Sequence, residues 1–261
     1  MLQFSRLSGY SNIAHFITTR EGGVSQGPYA AMNPGGYAGD DPGCVRQNRQ
    51  ILANALGLSS DCFLASFQVH EDRIAVIEAS FLSWEKERRD AFLRGADAVM
   101  TNVAGLCPVV STADCVPVLL YAPDVNAVAA VHAGWRGTVR HIVRKAVQAL
   151  TSVYDADPAR IEAAIGPFIG KSAFEVGEEV VEAFETSGAD LSAIVSRHPV
   201  SGKAHIDLGE ANRRQLLAAG VPAARIEQAG ICTYTDPDHF FSARRLGIHS
   251  GRLWSGIWIK E

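Results

Sequence analysis

Val116-Pro-Val-Leu-Leu-Tyr-Ala-Pro-Asp-Val-Asn-Ala-Val-Ala-Ala-Val-His132, continuing as Ala-Gly-Trp-Arg-Gly137, is the stretch on which the fold turns. Two apolar runs, Val116–Tyr121 and Val125–His132, flank Pro123-Asp124, a dipeptide suited to a tight connection, so the pair reads as neighbouring strands. Beyond Gly137 the period changes. Val139, Ile142, Val143, Ala146, Val147 and Leu150 recur at helical spacing while Arg140, Arg144, Lys145 and Gln148 face away, which predicts an amphipathic helix.

Further short β-rich runs lie on both sides: Cys62–Val69, Arg73–Glu78, Ala96–Thr101 and Cys107–Thr112 before it, Ile161–Ile165, Ile226–Cys232 and Arg252–Ile259 after it. Helices are expected near Phe174–Thr186 and Leu208–Ala219. In the first of these, Glu175, Glu178, Glu179, Glu182 and Glu185 form a solvated face opposite Val176, Val180 and Phe184. Upstream, Gly22–Gly43 holds seven glycines and three prolines and reads as a long loop. A helix follows over Pro42–Leu58, with Asp41 as cap, Val45, Leu52, Ala55 and Leu56 on one face, and Gly57 at its end. No fixed-period repeat or low-complexity tract is present. The pattern predicts an α/β (mixed α+β) sandwich, with residues 1–261 as one domain.

Composition narrows the function classes. At 47% hydrophobic and 20% charged residues the chain is ordinary for a globular protein. A net charge of −4 leaves no global basic field for nucleic acid. Five cysteines without regular spacing point to a reducing compartment in which thiols stay free or bind metal. The N-terminal stretch is broken by polar residues too often for a signal peptide, and no segment approaches about 18 uninterrupted apolar residues. The expectation is a cytoplasmic protein with no membrane partner.

Three separated residues carry the chemistry. His70 ends Ser-Phe-Gln-Val-His, Cys115 ends Thr-Ala-Asp-Cys, and His132 begins His-Ala-Gly-Trp-Arg-Gly. Two imidazoles and a thiolate suit a zinc-like ion, and a set of three leaves one coordination position for water or substrate, the mark of a catalytic rather than a structural site. His70 falls at a strand end, Cys115 before a strand, and His132 where a strand gives way to a loop, so all three are expected at one rim of a sheet. Taken singly, each has a packing explanation; their neighbours argue otherwise. Gly134 and Gly137 let backbone approach a ligand, Trp135 and Arg136 offer a ring and a cation, Asp114 is placed as an acceptor behind a ligand or as a proton acceptor, and Gln68 is placed to orient His70 or substrate. Glu71 is a second candidate proton carrier. A basic segment, Phe240-Phe241-Ser242-Ala243-Arg244-Arg245 followed by Gly251-Arg252, offers a phosphate clamp. Cys44, Cys62, Cys107 and Cys232 lack such company and are expected to be core or incidental thiols. The remaining six histidines carry no metal expectation.

Across nearly its whole length the sequence resembles the YfiH-type laccase-domain family, once called multicopper polyphenol oxidases and now regarded as purine nucleoside phosphorylases with adenosine deaminase activity. The matching strings are Thr18-Thr19-Arg20-Glu21-Gly22-Gly23-Val24-Ser25, Met32-Asn33-Pro34-Gly35, Gly39-Asp40, Asn48-Arg49, Phe67-Gln68-Val69-His70, Thr112-Ala113-Asp114-Cys115, His132-Ala133-Gly134-Trp135-Arg136-Gly137, Ile165-Gly166-Pro167 and Phe241-Ser242 with Arg244-Arg245. The resemblance implies zinc on His70, Cys115 and His132, with copper as the competing ion, and a fold related to cysteine-dependent deamidating toxins. It further implies a purine nucleoside (adenosine or inosine, extending to guanosine and methylthioadenosine) and phosphate as small-molecule partners. Arg49, Gln68, Trp135, Arg136, Arg244 and Arg245 are then the substrate-binding candidates, and His70, Cys115, His132 and Asp114 the catalytic ones. Two departures stand out: Phe168 where relatives often carry Cys, and Leu246 where an Asp is common.

Three other readings compete. A four-copper phenol oxidase needs many imidazoles, whereas eight histidines with no His-x-His pair are available here. A metal-free hydrolase would use Cys115 as nucleophile with His132 or His70 as base. A protein that only binds a nucleoside or metal is the third. The nucleobase-deaminase pattern of His-x-Glu with Pro-Cys-x-x-Cys is missing, so deamination would need another constellation.

Overall fold

In a computed structural model that describes residues 1–261, thirteen strands run in chain order as β1 (Ile13–Ile17), β2 (Phe63–Ala65), β3 (Ile74–Ile77), β4 (Ala98–Thr101), β5 (Cys107–Thr112), β6 (Val116–Ala122), β7 (Ala127–Ala133), β8 (Glu162–Ile165), β9 (Glu175–Val176), β10 (Val195–Arg197), β11 (Ala204–Ile206), β12 (Ile226–Gln228) and β13 (Leu253–Ile259). They form a six-stranded sheet ordered β12-β8-β6-β7-β4-β3, a four-stranded sheet ordered β1-β13-β5-β2, and a small sheet β10-β11-β9. The result is the mixed α/β sandwich expected from the pattern.

The decisive hairpin lies at the middle of the large sheet. Every residue of β6 and β7 is buried, which is why both read as nearly continuous apolar runs rather than alternating ones. Alternation still divides their faces. Val116, Val118, Leu120, Ala127, Ala129 and Val131 pack with Ile142, Val143, Ala146, Val147 and Leu150 of the helix Ile142–Tyr154, while Leu119, Tyr121, Val128 and Ala130 pack with Ile13, Ile17, Val110, Ile257 and Ile259 of the four-stranded sheet. The layers are therefore sheet, sheet, helices. Burying a Leu or Val side chain at such positions stabilises the fold by roughly 1.5–3 kcal/mol each.

Several boundaries differ from the sequence reading. The helix expected directly after Gly137 is two pieces, Trp135–Val139 and Ile142–Tyr154, separated at His141, whose φ of 61° interrupts the helix. The segment expected to be helical from Phe174 starts at Glu178, because Glu175 and Val176 pair instead with β11. The run Cys62–Val69 is strand only to Ala65; the rest is drawn off by side-chain bonds described below. The Pro42–Leu56 helix begins and ends as expected, with the Asp41 side chain accepting from the Cys44 N–H and Gly57 closing it at φ 67°. Strand β1 and the helix Lys86–Leu93 were not foreseen.

Two connections matter most. The chain passes from the four-stranded to the six-stranded sheet twice, between β2 and β3 and between β5 and β6. Because β2 and β5 are parallel neighbours, both crossings leave from the same end of the sandwich. One carries His70 and the other Cys115. β6 and β7 are antiparallel, with Pro117 opposite His132, so the end of β7 arrives beside the start of β6 at that same rim.

Candidate metal centre

His70, Cys115 and His132 meet at this rim, their donor atoms all within 4.8 Å of one another. The His70 and His132 rings stand edge to face with centroids 4.7 Å apart. His132 is buried, Cys115 half-buried and His70 exposed, which places the group at the floor of a cleft rather than inside the core. Gly134 is part of the construction: a Cβ there would lie 3.1 Å from Cys115 Sγ and 3.1 Å from His70 Cδ2. Gly137 likewise leaves space for the backbone carbonyl of Glu71, which a Cβ would approach to 2.9 Å. The glycines of the His-Ala-Gly-Trp-Arg-Gly string thus make room for the neighbours of the donors.

Asp97 holds two of the three donors in place. Buried just ahead of β4, its carboxylate lies 2.8 Å from His132 Nδ1 and accepts the N–H groups of Val69, His70 and Glu71 at 3.2, 3.0 and 2.9 Å. One side chain thereby orients the His132 ring and fixes the turn in which His70 adopts φ 62°. Nδ1–H donation to Asp97 leaves Nε2 with its lone pair for an ion. Burial opposes charge on Asp97, but the His132 bond and the amide donors outweigh it and hold the carboxyl below its usual range. Sequence reasoning missed Asp97; the available signal was a carboxylate inside the apolar run Ala96–Thr101, where a charge needs a partner.

Burial also resists ionisation of Cys115, yet the charge and hydrogen bonding of His132 and His70 lower its thiol to about 6. Burial pulls His132 down, but Cys115 and Asp97 together raise it to about 9. Both shifts run in the direction that favours a thiolate on Cys115 and the proton on His132. A cation taking the place of that proton would find its thiolate already formed. Two nitrogens and a sulfur are a donor set that fits zinc or copper.

Around the three donors lies a cleft of about 530 Å³ that Gln68, Asp114 and Arg244 also line, together with Ser111, Tyr37, Phe67, Phe174 and Arg252. Gln68 does not bond His70. Its amide donates to Ser111 O at 2.9 Å and accepts from Ser111 N at 2.7 Å, stapling the His70 loop to β5. Asp114, at φ 86°, does not bond a ligand either: its oxygens accept from Thr233 Oγ1 and from the Arg244 N–H, both at 2.7 Å. The acceptor role behind His132 belongs to Asp97 instead. Glu71 turns away to Arg140, 3.5 Å distant, and does not line the cleft.

The arginines divide. Arg244 lines the cleft, donates to Glu175 O at 3.0 Å and has no carboxylate partner. Arg252, noted in the sequence only as part of a basic segment, lies half-buried beside it; its Nη atoms donate to the carbonyls of Ile248, Ser250 and Gly251, and again no carboxylate neutralises it. Trp135, Arg136, Arg245 and Arg49 are outside the cleft. Trp135 packs on the main core with Arg136 stacked on its ring at 4.3 Å. Arg245 donates to Tyr234 O. Arg49 lies over Trp254. Both departures from the family pattern are packing positions: the Phe168 ring presses on Gly209, where a Cβ would come to 2.2 Å, and Leu246 packs with Phe240 and Phe241. No other group of three His, Cys, Asp or Glu side chains comes together in the molecule, so the remaining cysteines stay outside any such cluster.

Fold and site together define a mixed α/β protein with an open His/Cys/His centre at the rim of a sheet. Comparison with known proteins gives its kinship: residues 14–260 match the family described as multi-copper polyphenol oxidoreductase laccase, and the chain belongs to that family. It is 48% identical over 261 residues, covering 100% of this chain and 97% of the relative, to a Bacteroides thetaiotaomicron protein named purine nucleoside phosphorylase. A protein from an unknown prokaryotic organism named adenosine deaminase RL5 is 44% identical over 245 residues, 94% of this chain and 93% of that one. Among solved structures, YlmD from Geobacillus stearothermophilus superposes with a TM-score of 0.88 at 34% identity, covering 96% of this chain and 93% of that one. The Bacillus licheniformis hypothetical protein YfiH does so with a TM-score of 0.88 at 30% identity, covering 95% and 93%. No helix is long and apolar enough to cross a membrane.

Proposed function

We propose that the chain is a zinc-dependent purine nucleoside phosphorylase, acting on adenosine and inosine, that also deaminates adenosine in the same cleft. The observation that carries the reading is the convergence of His70, Cys115 and His132 on the floor of a cleft whose two cations, Arg244 and Arg252, lack carboxylate partners. The names of the relatives support the choice of substrate.

Phosphorolysis joins a phosphate oxygen to the anomeric carbon as the bond to the base breaks, so the site must gather a multiply charged anion and hold it in line. Arg244 and Arg252 supply that charge. Phe67, Phe174 and Tyr37 give the base apolar walls. His70, Cys115 and His132 would hold the zinc, which when bound supplies Lewis acidity toward an oxygen or nitrogen of the substrate. Asp97 keeps His132 in the ligating tautomer. Asp114, the one carboxylate lining the cleft, acts by positioning the turn that presents Arg244. Cytoplasmic residence and the lack of a nucleic-acid partner belong to the same reading, resting on composition.

One observation favours a second reading: the donor atoms of Cys115 and His132 lie within 4.8 Å of each other, the thiol–imidazole juxtaposition that a metal-free thiol hydrolase uses. Copper at the same donors would be a substitute for zinc, since a single three-donor group is not a multicopper centre. A single preparation separates the readings. Adenosine and inosine are followed with and without phosphate, before and after chelation. Phosphate-dependent release of free base that disappears on chelation and returns with zinc supports the phosphorylase; activity that survives chelation and dies on alkylation of Cys115 replaces it with the hydrolase.

A further inference from the structure

A second cleft, of about 470 Å³, lies against the first. The two share a wall, Tyr37 and Phe67, whose rings meet edge to face at 4.7 Å. Its lining brings four cations, Arg49, Lys86, Arg89 and Arg94, against two carboxylates, Asp61 and Asp90. Lys86 is satisfied by Asp90 at 2.6 Å, and Arg89 by the carbonyls of Trp84 and Leu82. Arg49 and Arg94 have no carboxylate partner.

Arg49 is the informative one. It projects from the Pro42–Leu56 helix, donates Nε–H to Pro34 O at 2.8 Å and lies over the Trp254 ring at 4.9 Å. These contacts fix the guanidinium plane, yet neither Nη atom has a hydrogen-bond acceptor. Gly36 keeps that end of the side chain open, because a Cβ there would come within 3.2 Å of Nη2. A half-buried arginine held rigid, with its paired donors free and its charge unneutralised, is a preformed receptor for an oxyanion that can take two parallel hydrogen bonds, such as a phosphate. Arg94 adds a second charge over Phe67 at 5.7 Å. Phe63, Phe81 and Trp254 give the lining an aromatic part beside the polar Ser60 and Asp61, and the volume suits a ligand of mononucleotide size.

We propose that this second cleft is a binding site for a phosphorylated aromatic ligand, of the nucleoside monophosphate class, with the phosphate on Arg49 and Arg94 and the ring against the aromatic wall. The site is separate from the His/Cys/His cleft and does not depend on the reaction carried out there. Occupancy would press on Tyr37 and Phe67 from the far side, so the same two side chains would transmit it to the catalytic cleft.

The test is calorimetric titration of the purified full-length protein with AMP, with adenosine and inorganic phosphate as partial ligands. Arg49→Gln and Arg94→Gln are each expected to weaken AMP binding at least tenfold, and Arg244→Gln, which alters the other cleft, to leave it within about twofold. Thermal melting of each variant excludes loss of fold, and the exposed position of Arg94 keeps one variant safe on that count. AMP binding lost in Arg244→Gln but retained in Arg49→Gln and Arg94→Gln would put the nucleotide in the catalytic cleft and overturn the proposal. So would the absence of AMP binding to the wild-type protein at millimolar concentration.

Discussion

Replacing Asp97 with Asn removes one charge and one acceptor from the group that organises the centre. In the wild-type protein one carboxylate oxygen faces His132 Nδ1 and the His70 N–H, and the other faces the N–H groups of Val69 and Glu71. An amide cannot serve both sides. If its oxygen keeps Val69 and Glu71, its NH2 confronts His132 Nδ1, drives the proton to Nε2 and blocks the lone pair that an ion needs. If it turns over, the two loop amides lose their acceptor and the His70 turn loosens. Either outcome costs about 10- to 100-fold in zinc affinity, or roughly 1.4–2.7 kcal/mol. Unmet buried donors add about 1–3 kcal/mol of lost stability in the metal-free protein. Competition against a chelator of known affinity measures the first, and urea unfolding of the apo protein the second. Zinc binding by Asp97→Asn at wild-type strength would refute the reasoning, because no other side chain stands behind His132.

Gly134→Ala should fold normally but lose at least tenfold in zinc affinity, read by the same competition, since its methyl, 3.1 Å from Cys115 Sγ and from the His70 ring, would crowd both donors off their positions by a few tenths of an ångström. His15 is buried and neutral, its Nε2 accepting the Phe4 N–H at 2.7 Å; desolvation lowers it to about 4, against a weak opposing pull from Glu227. A pKa depressed from 6.5 on folding means that the unfolded chain binds the proton first, so stability falls as pH drops from 6.5 toward 4. At pH 4.5 the loss from this group is about 2.5 kcal/mol, and His15→Gln should flatten that part of a urea-measured stability profile. Leu120→Ala, in the middle of the central hairpin and fully buried, should cost about 2–5 kcal/mol by denaturant unfolding while leaving bound metal per folded molecule unchanged.

The hairpin from Val116 to Ala133 and the helix Ile142–Tyr154 were legible because burial on both faces of a strand, or on one face of a helix, writes directly into residue type. The three donors were legible for a different reason: His70 and Cys115 have polar neighbours, and His132 two glycines and an arginine, that a packing role does not require. Their element ends gave the expectation of one rim; the meeting of all three donors within 4.8 Å depends further on the parallel pairing of β2 with β5 and on two crossings between sheets, relations that no local pattern encodes. Gln68 and Asp114 both line the cleft, but neither bonds a donor of the centre. Both sit beside a ligand in sequence, yet their side chains turn to Ser111 and to Thr233 with Arg244, partners 43 and at least 119 residues away. Trp135, Arg136, Arg245 and Arg49 show the same limit: adjacency to a motif does not decide which way a side chain faces. Asp97 was overlooked because its partners are three loop amides and a histidine that only the fold brings to it. The break at His141 had no composition signal, since neither glycine nor proline marks it.

X-ray absorption at the zinc edge of the purified protein tests the central claim most directly. One zinc per chain, with a single sulfur neighbour at about 2.3 Å and two imidazole nitrogens at about 2.0 Å, is the result predicted for His70, Cys115 and His132 closing on one ion. A zinc shell without sulfur, or one unchanged in Cys115→Ser, would contradict it.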